Sequence, residues 1–182
     1  MPFRLKKTVA LVGMMGAGKT AIGTALARRL GVPFLDSDIE IERAANLTIA
    51  EIFARDGEAF FRERETQVIG RLLEGRPGIL STGGGAFLRH DNRALIAARG
   101  ASLWLRADLE LLWNRVKHKT TRPLLRTADP RATLAALKAE RDPVYALADL
   151  SVDADAAYSI DEMTERVVRV LASHPDILET PQ

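Results

Sequence analysis

A short apolar run, Val9 to Val12, leads directly into Gly13, Met14, Met15, Gly16, Ala17, Gly18, Lys19 and Thr20, and an amphipathic stretch follows. This order leaves few folds open. The apolar run reads as a strand. Ile22, Leu26 and Leu30 recur on one helical face, and Gly31 stands where a C-terminal cap belongs. The spacing G-x-x-x-x-G-K-[ST] between them puts consecutive backbone N–H groups at a helix N-terminus, which is a concavity for an anion. The glycines let the backbone close around a phosphate chain. Lys19 can reach the outer phosphates of a nucleotide, and the Thr20 hydroxyl can bind Mg²⁺. A glycine-rich turn with a solvated lysine is the simpler reading. The strand before and the helix after argue against it.

The same alternation continues along the chain. Strand-like runs at 8–12, 33–36, 78–82, 101–105 and 148–152 are separated by helical patterns at about 18–30, 38–45, 48–55, 57–75, 91–99, 108–117, 130–141 and 160–172. This pattern predicts an α/β fold on a parallel sheet. Asp129 followed by Pro130 is a helix start signal. Two segments interrupt the regular order: a helical insertion at about 38–75 and a basic, aperiodic stretch at about 117–129. In such folds ligands bind at the C-terminal ends of the strands, and both segments can reach that edge, as an acceptor site and as a lid. Residues 174–182 contain two prolines and read as a frayed tail.

With 182 residues and no repeat or linker, one domain is expected, with its core over 8–172. The net charge of +2 does not argue for nucleic acid, nor do lysines and arginines that form no continuous stripe. The absence of cysteine excludes disulfides and thiolate metal sites, and the three histidines form no ligand pattern. No apolar run approaches the roughly 20 residues needed to span a bilayer. Residues 1–7 lack the apolar core of a signal peptide. A cytoplasmic monomer without membrane or nucleic-acid partners is the expectation.

The third strand-like run ends in Gly83, Gly84 and Gly85 and offers no Asp for a metal. The second ends in Asp36-Ser37-Asp38. Asp36 is therefore the candidate to hold Mg²⁺ with Thr20. Residues i and i+2 of a strand end share a face, so Asp38 can point into the same cleft and take a proton from an attacking hydroxyl. Capping of the next helix explains both aspartates equally well. Three successive glycines admit close approach of a ligand, or make a flexible turn. Arg62 stands beside Phe60 and Phe61, with Glu65 one turn on. It suits a carboxylate clamp, although a solvated ion pair has the same spacing. Arg141 alone reads as a helix C-terminal cation. In the basic stretch, Arg122 can meet charge on a transferring phosphoryl group, and Arg115 can stack on a base; a solvated loop is the alternative.

Taken together, the phosphate loop, Asp36-x-Asp38, Ile49 to Phe53, Asp56-Gly57-Glu58, Phe61-Arg62-x-x-Glu65, Gly83 to Gly85, Arg122 to Leu125 and Arg141-x-Pro143-x-Tyr145 resemble the shikimate kinase family. The resemblance runs over roughly residues 8–172. It implies a three-layer α/β/α P-loop kinase fold: five parallel strands in order 2-3-1-4-5, helices on both faces, a substrate-binding insertion and a lid. It implies transfer of the ATP γ-phosphoryl group to the 3-hydroxyl of shikimate, on the route to chorismate and the aromatic amino acids. It assigns Asp38 to the ring hydroxyls as the base, and Arg62 and Arg141 to the carboxylate. Gly83, Gly84 and Gly85 would line the ring site, with Phe53 and Phe61 as its apolar wall. Lys19 and Arg122 would stabilise the phosphates, Thr20 and Asp36 would place Mg²⁺, and Arg115 would stack on adenine. The stretch from Asp153 to Tyr158 lacks the polar or basic residue some members carry near adenine, which leaves backbone or Tyr158 for any contact there. Two rivals stand beside this reading. One is a gluconate-type kinase, opposed by the three glycines and two arginines. The other is a non-catalytic nucleotide-binding module, opposed by the intact Lys19, Asp36, Asp38 and Arg122.

Overall fold

Five strands pair in parallel to form the central sheet: β2 (Thr8–Val12), β3 (Phe34–Asp36), β4 (Ile79–Ser81), β5 (Gly100–Arg106) and β6 (Leu150–Asp153). The computed structural model describes residues 2–118 and 125–182. The strand order is β3-β4-β2-β5-β6, the order that the family resemblance implied. β2 is central, paired to β4 through Val9–Ile79 and to β5 through Thr8–Gly100, and all of its residues are buried. A strand covered on both faces must be apolar throughout, which is why Val9 to Val12 show no polar alternation.

The helices are α1 (Lys19–Leu30), α2 (Ser37–Ala45), α3 (Ile49–Glu74), α4 (His90–Arg99), α5 (Leu109–Val116), α6 (Pro130–Tyr145) and α7 (Ile160–Ala172). Among the helices α1 packs on α7 and α3 packs on α4. Local signals set their ends. Gly31 closes α1 in the left-handed region at φ 68°. Asp129 accepts from the Ala132 N–H at 3.1 Å to start α6, with Pro130 in its first turn. A reciprocal capping box starts α3: Glu51 N–H donates to Thr48 Oγ1 at 3.1 Å, and Thr48 N–H donates to Glu51 Oε1 at 3.4 Å. The two helical patterns expected at 48–55 and 57–75 are one run with a break at Gly57, where φ is 85° and ψ is 172°. That backbone conformation is open essentially only to glycine.

Two hydrophobic clusters form. The larger fills both sides of the sheet. The smaller, centred on Ile41, Ile52, Phe61 and Val68, ties α2 to α3 within the insertion.

Two expectations need correction. The frayed tail over 174–182 is instead partly ordered: β7 (Leu178–Glu179) pairs antiparallel with β1 (Arg4–Leu5), and Ile177 and Leu178 are buried. Strand pairing across the whole length of the chain leaves no local signature, and the apolar pair Ile177-Leu178 was its only hint. The helix expected to stop at 141 continues to Tyr145. Pro143 removes one hydrogen bond in the last turn, a loss the terminal turn tolerates, while Tyr145 is anchored below by a tertiary contact.

Candidate active site

Every strand of the central sheet contributes at its C-terminal end to one cleft of about 830 Å³, within the roughly 300–1,000 Å³ usual for small-molecule sites. The loop after β2 supplies Met14, Met15, Gly16, Gly18, Lys19 and Thr20. The end of β3 supplies Asp36, and the start of α2 supplies Asp38. Gly83 to Gly85 follow β4, Arg115 rises from α5 after β5, and Tyr158 to Ile160 follow β6. Arg62 from α3 and Arg141 from α6 close the far side.

The donor side is built on the loop before α1. Gly18 is the N-cap at φ 99°, a left-handed conformation that frees the following N–H groups to point into the cleft. Lys19 Nζ donates to the carbonyls of Gly13 at 2.5 Å and Met14 at 3.3 Å, which holds the ammonium over the loop. Gly13 and Ala17 are buried beneath the loop. Arg115 Nη1 donates to the Gly16 carbonyl at 3.0 Å, so the guanidinium lies along the outer rim. Tyr158 faces the same end of the cleft with its ring under Arg166, 4.1 Å from the guanidinium carbon.

The acceptor side is organised by the three glycines. A Cβ added to Gly83 would stand 2.8 Å from Asp38 Oδ1. One on Gly84 would stand 3.1 Å from Arg141 Nη1, and one on Gly85 would stand 2.5 Å from Arg62 Nη2. The absent side chains are thus the space that three charged groups from three different helices occupy. A carboxylate and two guanidiniums converge on one stretch of backbone. The flexible-turn reading of the glycines does not account for this.

Asp36 resolves the ambiguity left by the sequence. It caps α2: its Oδ1 accepts from the Asp38 N–H at 2.9 Å and the Ile39 N–H at 3.3 Å. It also lines the cleft, as Thr20 does. Asp38 does not cap. Its carboxyl is raised from 3.8 to about 6, first by burial, then by the neighbouring charges of Asp36 and Glu65, with a smaller push from Glu42 and an opposing pull from Lys19. Arg62 is held by Glu65 at 3.0 Å and Glu58 at 3.6 Å, over the Phe61 ring at 5.2 Å. Glu65 is 1% exposed, and burial raises its pKa while Arg62 pulls it back down.

Thr20 and Asp36 suit Mg²⁺, a hard cation that takes few protein oxygens and fills its shell with phosphate and water. Among the described residues no group of three or more His, Cys, Asp or Glu could hold a metal. A cation here would therefore arrive with phosphates rather than sit in a cage of its own.

Phe53 and Phe61, expected as a wall of the acceptor site, stack on each other in the smaller cluster with ring centroids 4.8 Å apart. Phe61 is 4% exposed and lies against the head of Arg62, which lines the cleft. Arg122 and the centre of the expected lid, residues 119–121, lie outside the described residues. Sequence reasoning gave no role to Ser81, Thr82, Met163 or Ile160, which also border the cleft. Ser81 and Thr82 stand at the end of β4, a position that could have pointed to them, whereas Ile160 and Met163 lie in the first turn of α7 and carry no such signal.

The family model for shikimate kinase matches residues 15–172. A shikimate kinase of Ruegeria pomeroyi is 66% identical over 175 residues, covering 96% of this chain and 90% of that protein. One from Cereibacter sphaeroides is 65% identical over 179 residues, covering 98% of this chain and 89% of that protein. The solved structure of a shikimate kinase from Acinetobacter baumannii in complex with shikimate superposes with a TM-score of 0.83 at 38% identity, covering 92% of this chain and 94% of that one. This chain belongs to the shikimate kinase family.

Proposed function

We propose that this chain phosphorylates the 3-hydroxyl of shikimate with ATP, giving shikimate 3-phosphate and ADP. One observation carries the reading beyond family membership: Asp38, Arg141 and Arg62 meet the glycine backbone at 83–85 in the same cleft as the phosphate-binding loop. Shikimate carries a carboxylate and ring hydroxyls, and this wall presents two guanidiniums and one carboxylate.

Catalysis is positioning and electrostatics. The loop from Gly13 to Thr20 cradles the phosphates, and Lys19 exchanges its carbonyl partners for phosphate oxygens. Thr20 and Asp36 would hold Mg²⁺, whose chemistry there would be to offset phosphate charge. Arg62 and Arg141 grip the carboxylate and fix the ring, which turns a bimolecular encounter into an oriented one. The acceptor oxygen bonds to the γ-phosphorus as the bond to the β–γ bridging oxygen breaks, and ADP leaves with that electron pair. Asp38 takes the hydroxyl proton. A carboxyl titrating at about 6 is ionised at neutral pH yet more basic than an ordinary carboxylate, which suits a general base. Arg115 stacks on adenine. From the sequence alone, Arg122 meets the charge of the transferring group. We read the whole chain as one kinase domain with an acceptor-binding insertion at 38–75, acting as a monomer in the cytoplasm. Among the described residues no helix is long and apolar enough to cross a membrane.

A coupled assay of ADP release with shikimate, gluconate and nucleoside monophosphates tests the reading. Turnover is expected with shikimate alone. Turnover with gluconate and none with shikimate would overturn it.

A further inference from the structure

The sequence motif Arg141-x-Pro143-x-Tyr145 contains, besides Arg141, one polar side chain, Tyr145, that the mechanism above does not use. Tyr145 is 1% exposed, so its hydroxyl must find partners within the protein. It donates to the Gly84 carbonyl at 2.6 Å. It stands one helical turn beyond Arg141, whose guanidinium reaches the same Gly84 backbone, 3.1 Å from where a Cβ would stand, and pulls the phenol's pKa down against the rise that burial causes. A phenol has one proton to give and lone pairs to accept with, so donation to Gly84 is compatible with the guanidinium beside it. The ring is wedged against Trp104 on β5, with centroids 6.1 Å apart. The hydroxyl is therefore fixed by packing, and it ties the glycine loop after β4 to the guanidinium on α6.

We propose that Tyr145 is a positioning residue for the acceptor site, whose buried hydroxyl sets the Arg141 guanidinium against the Gly84 backbone. The inference rests on the reading of Arg141 as a carboxylate clamp. Arginine has a long side chain with much rotational freedom to lose, and its planar fork binds a carboxylate well only when held in one plane. Lys138 pairs with Asp142 on the same helix, so that carboxylate is engaged elsewhere and leaves the orienting contact to the phenol. Asp142 itself shapes the potential at the phenol less than Arg141 does.

Tyr145→Phe keeps the ring and deletes the oxygen. The expected result is a KM for shikimate raised about tenfold, the scale of one charge-assisted hydrogen bond. The KM for ATP should stay within twofold and kcat within about threefold. A purely structural role would move both KM values or neither. In an Arg141→Lys background, where the planar fork is gone, adding Tyr145→Phe should change the shikimate KM less than twofold. A second measurement needs no variant at position 145. The chain has two tyrosines, so 3-fluorotyrosine labelling gives two fluorine resonances, assigned with Tyr158→Phe. The Tyr145 resonance should shift on saturation with shikimate and not with a ring triol lacking the carboxylate. An unchanged shikimate KM in Tyr145→Phe, an equal rise in both KM values, or a silent Tyr145 resonance would overturn the inference. The functional reading fails separately, if the wild-type chain does not turn shikimate over.

Discussion

Asp38 should make this protein less stable in exchange for a usable base, and the size of the effect can be worked out. In the unfolded chain its carboxyl titrates at 3.8, and in the folded chain at about 6. The folded state therefore binds the proton more tightly. Its contribution to stability is fully present below pH 3.8 and is lost as the pH rises through about 6. At about 1.4 kcal/mol per unit, the ionised carboxylate costs the fold about 3 kcal/mol at pH 8 and about half of that at pH 5. Asp38→Asn keeps the shape and removes the charge. The variant should be more stable than wild type by about 3 kcal/mol at pH 8, with the gap shrinking towards pH 5. At roughly 2–4 °C per kcal/mol for a chain of this size, that is several degrees in Tm. Turnover should fall by about 10²–10⁴-fold, the scale of lost general-base catalysis. In the wild type, kcat/KM for shikimate should be flat above pH 7 and about tenfold lower at pH 5, because only the ionised form accepts the proton. Thermal melts of both proteins across this range and a pH–rate profile decide the matter. If Asp38→Asn melts with wild type at pH 8, the carboxyl is not held in the environment described. If Asp38→Asn keeps near-normal kcat, the base assignment falls.

The remaining predictions concern neighbouring positions. Gly85→Ala would put a Cβ 2.5 Å from Arg62 Nη2, and only the flexible end of that side chain need move. The shikimate KM should rise at least tenfold with Tm within about 2 °C; a normal KM would place the Arg62 head elsewhere during binding. Arg62→Ala should weaken shikimate binding by roughly 10²-fold and ATP binding less than twofold, measured by isothermal titration, since a buried charged contact is lost on one side of the cleft only. Lys19→Met should lower kcat by about 10³-fold while circular dichroism stays native, because Lys19 acts on phosphate charge at the cleft. Gly57→Ala should cost about 1–3 kcal/mol in urea unfolding through backbone strain alone, since the added methyl would touch nothing within 4 Å. Unchanged stability would mean that the break in α3 can straighten freely.

Much of this architecture rests on short-range chemistry and could be read from the chain. The strand–loop–helix at 8–30 is specified by residues within a few positions of one another, and so are the Gly31 cap and the Asp129-Pro130 start. The five-stranded sheet follows from apolar runs buried on both faces. Asp36 and Asp38 could be singled out by spacing, but not told apart. Capping and cleft-facing use the same residue type, and the capping bonds of Asp36 together with the position of Gly83 beside Asp38 separate them. Phe53 and Phe61 are legible only as a pair of apolar residues. An aromatic beside a candidate arginine fits a ligand wall or a core equally, and it took the packing of α2 on α3 to show Phe61 buried with Phe53 partly buried against it.

The chain by itself determined the phosphate loop, the parallel α/β frame and the residues able to meet a carboxylate and a hydroxyl, because each depends on local pattern or on side-chain chemistry. The tertiary structure alone decided how they meet. β1 joins β7 across nearly the whole chain, Tyr145 reaches back 61 positions to Gly84, and three helices deliver Asp38, Arg62 and Arg141 to consecutive glycines. Contacts at such separation depend on the packing of the whole sheet, and no local stretch of sequence encodes them.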